Sequence, residues 1–226
     1  MLRLLLTLLI FLPTLVNAES IGIVTALESQ GTLKRESGEK IETQENTSLE
    51  MMDRIETFQG AHRLTFIDDT IVDMTAQSLL TIDDYVYDPS NNEGSLNLKA
   101  KLGTIRYASG KLAKNFRQNV KIETPTSTIG VRGTDFTMSV DELGGSTIIL
   151  LPSCDISGYC YVGEIEVETD VGMVILNQAF QATYTSSRER SPAPVVQLEL
   201  DESLITNMLI VRKKKLVEEK AKRDAE

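Results

Sequence analysis

The sequence has 226 residues, with no tryptophan, one histidine, two cysteines and only 5% aromatic residues. Few stacking side chains and a formal net charge of -10 both disfavour nucleic acid as a partner, because an acidic surface repels phosphate. The single histidine, His62, has no second imidazole with which to build a zinc site, and we expect it at a surface or edge position. The oxygen-rich loop Asp88–Glu93 lacks the spacing of a calcium loop. We therefore expect no catalytic residues, no metal and no cofactor.

Residues 1–18 have the pattern of a secretory signal peptide. Arg3 supplies a basic start, Leu4 to Leu12 form an apolar run, and Ala18 ends a small-residue exit. The apolar run is shorter than the about 20 residues that a membrane-spanning helix needs. We expect export to the periplasm or beyond, cleavage after Ala18, and no transmembrane span in the mature protein.

The two cysteines, Cys154 and Cys160, lie close together in the sequence. Without a neighbouring histidine they cannot complete a zinc site. Because an oxidising compartment favours pairing, we predict a disulfide between them. The loop-entropy stabilisation for so small a ring is about 2.4 kcal/mol, so the bond would pin a hairpin tip but would not hold the domain together.

Between the signal peptide and Ser186, apolar and polar residues alternate with the two-residue period of half-buried strands. Turn residues separate the segments, which leaves little room for crossover helices. We therefore predict an all-β fold of antiparallel strands, arranged as a sandwich or a solenoid-like roll. The predicted strands are 21–27, 32–36, 62–68, 70–74, 78–88, 95–101, 119–124, 135–141, 146–151, 163–169, 172–176 and 179–185.

The pattern changes after Ser186. Pro192 and Pro194 indicate an extended linker, and beyond it Asp201 can cap a helix with one apolar face. A partner-binding helix and a solvated terminal helix are both consistent with the mixed charges that follow. The predicted organisation is a signal peptide (1–18), a β domain (19–186), a linker (187–200) and a short C-terminal helix or tail (201–226).

The most specific pattern lies between Glu123 and Asp141. A strand ends in Thr-Pro, a small-residue connection follows, and Gly-Val-Arg-Gly-Thr-x-Phe leads into the next strand. This pattern resembles the hallmark of the FecR-domain family. Asp53–Thr57 and Phe66–Thr70 resemble that family's G-D-x-I-x-T turn and F-x-D-G-T hairpin, and the resemblance covers residues 21–184. The matching residues of the central motif are Thr124, Pro125, Gly130, Val131, Arg132, Gly133, Thr134 and Phe136.

Two positions depart from the family pattern. Met52 and Asp69 stand where the family usually has turn glycines, which predicts altered turns within the same fold. In the central motif, Pro125 ends a strand. Gly130 and Gly133 permit positive φ angles or close backbone contacts. Arg132 could bind loop carbonyls or an acidic neighbour, or it could face a ligand or a partner. We expect a structural role for the motif as a whole.

Elimination and the resemblance together favour binding over catalysis. We expect a periplasmic, non-catalytic binding or scaffolding module that engages an envelope protein or glycan. The family's name-giving members relay the occupancy of an outer-membrane iron transporter to a cytoplasmic sigma factor, so a regulator of envelope or iron-uptake signalling is the second candidate. The predicted signal peptide disfavours it, because such signalling needs a cytoplasmic segment and a membrane span. A carbohydrate-active enzyme is the third and least favoured candidate. Paired acids can hydrolyse glycosides, but the adjacent acids Asp68–Asp69 and Asp83–Asp84 should point to opposite faces and so form no catalytic pair.

Overall fold

The computed structural model describes residues 19–116, 118–154 and 159–199. Strands dominate these residues, and one short helix, α1 (Lys111–Asn115), lies among them. The predicted signal peptide and the predicted C-terminal helix lie outside the described residues. Within the described ranges, no helix has the length and apolar character needed to cross a membrane.

The strands are short except for β8 and β9. The first strands are β1 (Gly22–Leu27), β2 (Thr32–Lys34), β3 (Lys40–Glu42), β4 (Ser48–Leu49), β5 (Arg54–Glu56), β6 (His62–Phe66), β7 (Ile71–Met74), β8 (Leu79–Asp88) and β9 (Glu93–Ala108). The strands after α1 are β10 (Val120–Glu123), β11 (Thr128–Arg132), β12 (Asp135–Val140), β13 (Ser146–Leu151), β14 (Ser153–Cys154), β15 (Cys160–Tyr161), β16 (Glu164–Thr169), β17 (Gly172–Leu176), β18 (Gln181–Thr185) and β19 (Val196–Gln197).

Seventeen of the described strands hydrogen-bond into one mixed sheet, and β14 and β15 form a separate two-stranded ribbon. The long strand β9 divides the sheet into two ladders. Its last part belongs to the first ladder, β4-β1-β6-β7-β9-β12-β13-β18-β19. Its first part belongs to the second ladder, β3-β2-β5-β8-β9-β10-β11-β16-β17.

The pairing of β9 with β10 is parallel, so the prediction of purely antiparallel strands is wrong at this point. The connection between these strands contains α1. A crossover of this kind returns the chain in its original direction, which a tight turn cannot do. The sheet is therefore mixed.

The inward side chains of both ladders meet in one hydrophobic core. Phe66 of the first ladder stacks on Tyr85 of the second, with ring centroids 5.3 Å apart. The rings of Tyr107 and Phe136 lie 5.6 Å apart, and both side chains are fully buried. Phe136 of the central motif is thus a core residue, and the outward faces of the ladders remain available for other contacts.

Positive backbone φ angles occur where the family pattern places glycines. Met52 has a φ of 66° and Asp69 a φ of 68°, so both residues take the left-handed conformation that suits glycine. Gly133 also has a positive φ of 66°. Gly130 instead lies inside β11, where an added Cβ would be 3.7 Å from its nearest neighbour.

The described part of the segment predicted as a linker lies along the domain. The Asp170 N–H donates to the Arg188 carbonyl at 3.0 Å, and the Ala193 N–H donates to the Tyr184 carbonyl at 2.8 Å. Strand β19 then pairs antiparallel with β18. The segment therefore packs against the sheet.

Candidate functional site

The Thr-Pro pair of the central motif closes the hairpin between β10 and β11. The Thr124 N–H donates to the Ser127 carbonyl at 2.8 Å, and Thr124 Oγ1 accepts the N–H groups of Ser127 at 3.0 Å and Thr126 at 3.3 Å. Pro125 occupies the second turn position, where its fixed φ is favourable. Local contacts in the turn therefore account for both Thr124 and Pro125 in the motif.

Buried hydroxyl groups then connect this hairpin to the first ladder. Thr126 Oγ1 lies 2.8 Å from Thr185 Oγ1 and 2.9 Å from Ser146 Oγ, and it donates to the Gly144 carbonyl at 3.1 Å. The hairpin is therefore tied to β13 and β18. We call Thr124, Thr126, Ser127, Ser146 and Thr185, all of which are buried, the hydroxyl cluster.

Arg132 binds acidic neighbours on the next strand. Its Nη1 donates to Glu164 Oε1 at 2.7 Å and its Nη2 to Glu166 Oε1 at 2.5 Å. Gly130 is the register partner of Glu166, and the missing side chain at Gly130 leaves space for the guanidinium to reach across. Of the roles considered for Arg132, the structure shows pairing with acidic side chains, at a position where 40% of the arginine side chain is exposed.

An open groove of about 450 Å³ lies beside Arg132. A neighbouring groove of about 360 Å³ shares two of its lining residues, Lys114 and Tyr161, and also contacts Cys154. The β14–β15 ribbon therefore stands between the two grooves. We call the first one the Tyr161 groove; its lining residues are Lys114, Arg132, Gly133, Tyr161, Val162 and Gly163.

The predicted disulfide is confirmed, since Cys154 and Cys160 are bonded to each other. They are also register partners in the ribbon, next to the pair Ser153 and Tyr161. The ribbon exposes Tyr159 by 70% and Tyr161 by 38%. The disulfide thus holds the strand that places the exposed Tyr161 at the Tyr161 groove.

The central motif supports the base of this ribbon. The Gly163 N–H donates to Thr134 Oγ1 at 3.3 Å. A Cβ on Gly163 would lie 2.5 Å from the Gly133 carbonyl oxygen, so glycine is needed for this close approach. The Thr134 N–H in turn donates to Ser109 Oγ at 2.9 Å. Gly133 and Thr134 therefore position the ribbon, a role that local sequence patterns do not show.

The cations around the groove differ in their partners. Lys111 pairs with Asp69 at 2.7 Å, and Arg132 is held by two glutamates. Lys114 has no ion pair within the described part of the chain and lines both grooves. Among the described residues, Lys114 is consequently the cation at this surface that is free to meet an anionic group.

His62 is buried, so the predicted surface or edge position is wrong. Strand β6 lies between β1 and β7, and His62 shares the inward face of this strand with Leu64 and Phe66. Its Nε2 lies 2.7 Å from Thr43 Oγ1, and that hydroxyl also accepts the Gly31 N–H at 2.8 Å. Burial lowers the pKa of His62.

The adjacent acids serve separate structural contacts. Asp68 is buried and accepts the Tyr85 hydroxyl at 3.0 Å and the Leu112 N–H at 2.9 Å, which holds α1 on the sheet. Asp83 accepts from Lys99 at 2.6 Å. Among the residues that the structure describes, no three metal-ligating side chains form a cluster.

Asp53 and Thr57, the acid and the last threonine of the G-D-x-I-x-T block, both make polar contacts. Its Oδ2 accepts Arg35 Nη1 at 2.5 Å and the Glu50 N–H at 2.8 Å. Burial raises the pKa of Asp53 to about 6, against the opposing effects of the Glu50 N–H and Arg35. Thr57 Oγ1 donates to the Thr75 carbonyl at 2.6 Å. The block thus anchors the β5 region by polar contacts.

Residues 53–152 match the sequence model of the family described as FecR protein. This range contains the whole central motif, so the match confirms the resemblance to this family over these residues. No curated protein matches the chain.

Two crystal structures from Parabacteroides distasonis ATCC 8503, each described as a "putative anti-sigma factor", are similar to part of this chain. The 2.50 Å structure has 12% sequence identity and a TM-score of 0.49, over 69% of this chain and 63% of that chain. The 1.65 Å structure has 12% identity and a TM-score of 0.46, over 69% of this chain and 64% of that chain. The chain spans less than two thirds of the length of these structures.

Proposed function

We propose that the protein is a periplasmic, non-catalytic binding module of the FecR type that engages an envelope protein. The observation that carries this proposal is the Tyr161 groove, where the exposed Tyr161 of a disulfide-linked ribbon lies beside Lys114 and Arg132. Tyrosine and arginine dominate the energetic centres of protein interfaces. Export is part of the proposal and depends on residues 1–18.

The ribbon is preorganised for binding. The disulfide fixes its two strands to each other, and the contact of Gly163 with Thr134 fixes its base to the domain. Ordering a side chain at an interface costs about 0.5–1.5 kcal/mol, and a ribbon that is already fixed avoids part of that cost. Tyr161 is therefore well placed to act as a rigid anchor.

The charges of the groove indicate a partner surface with acidic or polar groups. Lys114 is unpaired among the described residues, and it lies at this groove although the chain as a whole carries a net charge of -10. A protein surface that supplies a carboxylate beside a pocket for an aromatic ring would satisfy both features.

Site-specific photo-crosslinking tests this assignment. A photoreactive residue at Tyr161 should crosslink one envelope protein, identified by mass spectrometry, while the same residue at Tyr184 serves as control, since Tyr184 is 43% exposed on β18. With the purified partner, Tyr161→Ala should weaken binding by about tenfold or more. Equal crosslinking at both positions, or unchanged affinity of the variant, would contradict the proposal. Crosslinking to glycan alone would show that the partner is a glycan and not a protein.

A regulatory or signalling-related module is the second candidate, and the FecR match favours it. Intact-mass measurement of the protein from the cell envelope separates the two candidates. A mature protein that begins at Glu19 supports an exported module, whereas retention of residues 1–18 supports a membrane-anchored signalling protein. A transcriptional response to deletion that depends on Tyr161 would indicate that binding at the groove serves regulation.

A further inference from the structure

The ladders end in four edge strands, and one of them differs from the others. β4 and β19 have two residues each and β3 has three, with charged residues at both of its ends. β17 has five residues, and its outward side chains Met173 and Ile175 are 53% and 41% exposed. Short or charged edges resist strand addition, while a longer apolar edge is a template for it.

The hydrogen-bonding groups of β17 point in a direction that its register determines. A two-residue turn joins β16 to β17, and Thr169 and Gly172 are the first register pair after it. Residues of an antiparallel pair alternate between bonding to each other and pointing away. Met173 and Ile175 therefore direct their N–H and C=O groups away from β16, and no residue in the described ranges bonds to these groups.

The pairing of β16 with its other neighbour agrees with this direction. Glu168 and Glu166, the register partners of Met173 and Ile175, are also register partners of residues in β11. Their backbone groups bond on that side, so they cannot satisfy those of β17. The free edge of β17 thus offers four unpaired backbone groups beside two exposed apolar side chains.

The adjoining row of side chains is acidic. Glu166 shares Arg132 with Glu164, and Glu168 has no ion pair within the described part of the chain. Side chains of an added strand would lie next to Met173 and Ile175. A lysine or arginine there can cover the apolar surface with its stem and place its charge near Glu168. A second copy of this acidic chain would bring like charges together and fits the edge less well.

We propose that the free edge of β17 binds an extended segment of a partner protein that carries lysine or arginine at alternate positions, and that this segment adds to the sheet as a strand. Backbone hydrogen bonds to Met173 and Ile175 supply the pairing, and the acidic row selects the cationic side chains. The edge of β17 is separate from the Tyr161 groove, and this proposal does not depend on binding at that groove.

The capped peptide Lys-Val-Lys-Val-Lys-Val-Lys is the probe, titrated against the mature full chain by fluorescence anisotropy. Ile175→Pro removes the N–H that faces the free edge and leaves the bonds between β16 and β17 in place. This variant should bind the peptide about tenfold more weakly or worse, and clearly more weakly than Ile175→Thr, which also shortens the apolar side chain but keeps the N–H. Both variants carry the wild-type charge, so non-specific attraction is matched, and thermal unfolding checks that both fold.

Glu168→Gln should weaken binding by a few fold, and a peptide of the same composition with its lysines in one block should bind weakly. Unchanged binding by Ile175→Pro, or equal binding of the block peptide, would overturn the proposal. Two other occupants would also overturn it. Dimers in sedimentation that Ile175→Pro abolishes would identify a second copy, and tighter peptide binding after removal of residues 200–226 would identify the chain's own tail.

Discussion

Replacing Thr126 by valine removes one hydroxyl from the hydroxyl cluster and keeps the shape of the side chain. The change deletes the contacts of Oγ1 with Thr185 Oγ1 at 2.8 Å, with Ser146 Oγ at 2.9 Å and with the Gly144 carbonyl at 3.1 Å. All three partners lie inside the protein, where water cannot replace the lost bonds.

The size of the effect follows from what the partners retain. Ser146 Oγ still donates to the Gly144 carbonyl at 3.1 Å, and Thr185 Oγ1 still reaches Ser127 Oγ at 3.2 Å. Since a lost hydrogen bond costs about 1 kcal/mol and a buried unsatisfied group about 1–3 kcal/mol, we expect Thr126→Val to lower the free energy of unfolding by about 2 kcal/mol. For a domain of this size, this corresponds to a decrease in Tm of about 4–8 °C.

Urea unfolding followed by circular dichroism measures this change. Thr147→Val is the matched control, because Thr147 lies next to Ser146 on β13 but faces solvent, and its effect should stay within about 0.5 kcal/mol. If both variants were destabilised equally, the hydroxyl cluster would not be what ties the β10–β11 hairpin to the first ladder.

Three further predictions concern positions with distinct physical roles. Met52→Gly should raise the free energy of unfolding by up to about 1 kcal/mol in urea titrations, because φ at Met52 is positive. Met51→Gly is the control and should lower the free energy of unfolding. If both variants were stabilised, the backbone of Met52 would not be strained. Phe136→Ala should lower the free energy of unfolding by about 3–5 kcal/mol, because the side chain is fully buried. Arg132→Ala should lower it by about 1 kcal/mol or less, because the ion pairs of Arg132 are partly exposed. Similar losses for the two variants would contradict this difference between a core residue and a surface ion pair. The lowered pKa of His62 means that the unfolded state binds a proton that the folded state excludes, so stability should fall as pH decreases below about 6.5. Urea unfolding between pH 7.5 and 5 should show a smaller fall for His62→Gln than for the wild type, and parallel curves would assign the pH dependence to other groups.

Strand positions could be predicted well where turn residues bound a short apolar run. The predicted bounds of 146–151 and 172–176 agree with β13 and β17. The burial of His62 could also have been predicted, because it shares its strand face with Leu64 and Phe66. Strand β11 was missed because glycine and arginine in the central motif favour a turn as much as a strand, and only pairing with β10 and β16 makes the segment extended.

The sequence by itself determined the β-rich character, the family motif and the cysteine pair, because each depends on neighbours within a few residues along the chain. Only the tertiary structure decided that Arg132 meets Glu164 and Glu166, that the ribbon lies against the central motif, and that β17 has no second strand neighbour among the described residues. These features depend on the register between strands that are distant in the sequence. A shift of one residue in that register would turn every side chain to the other face, and no local pattern carries that information.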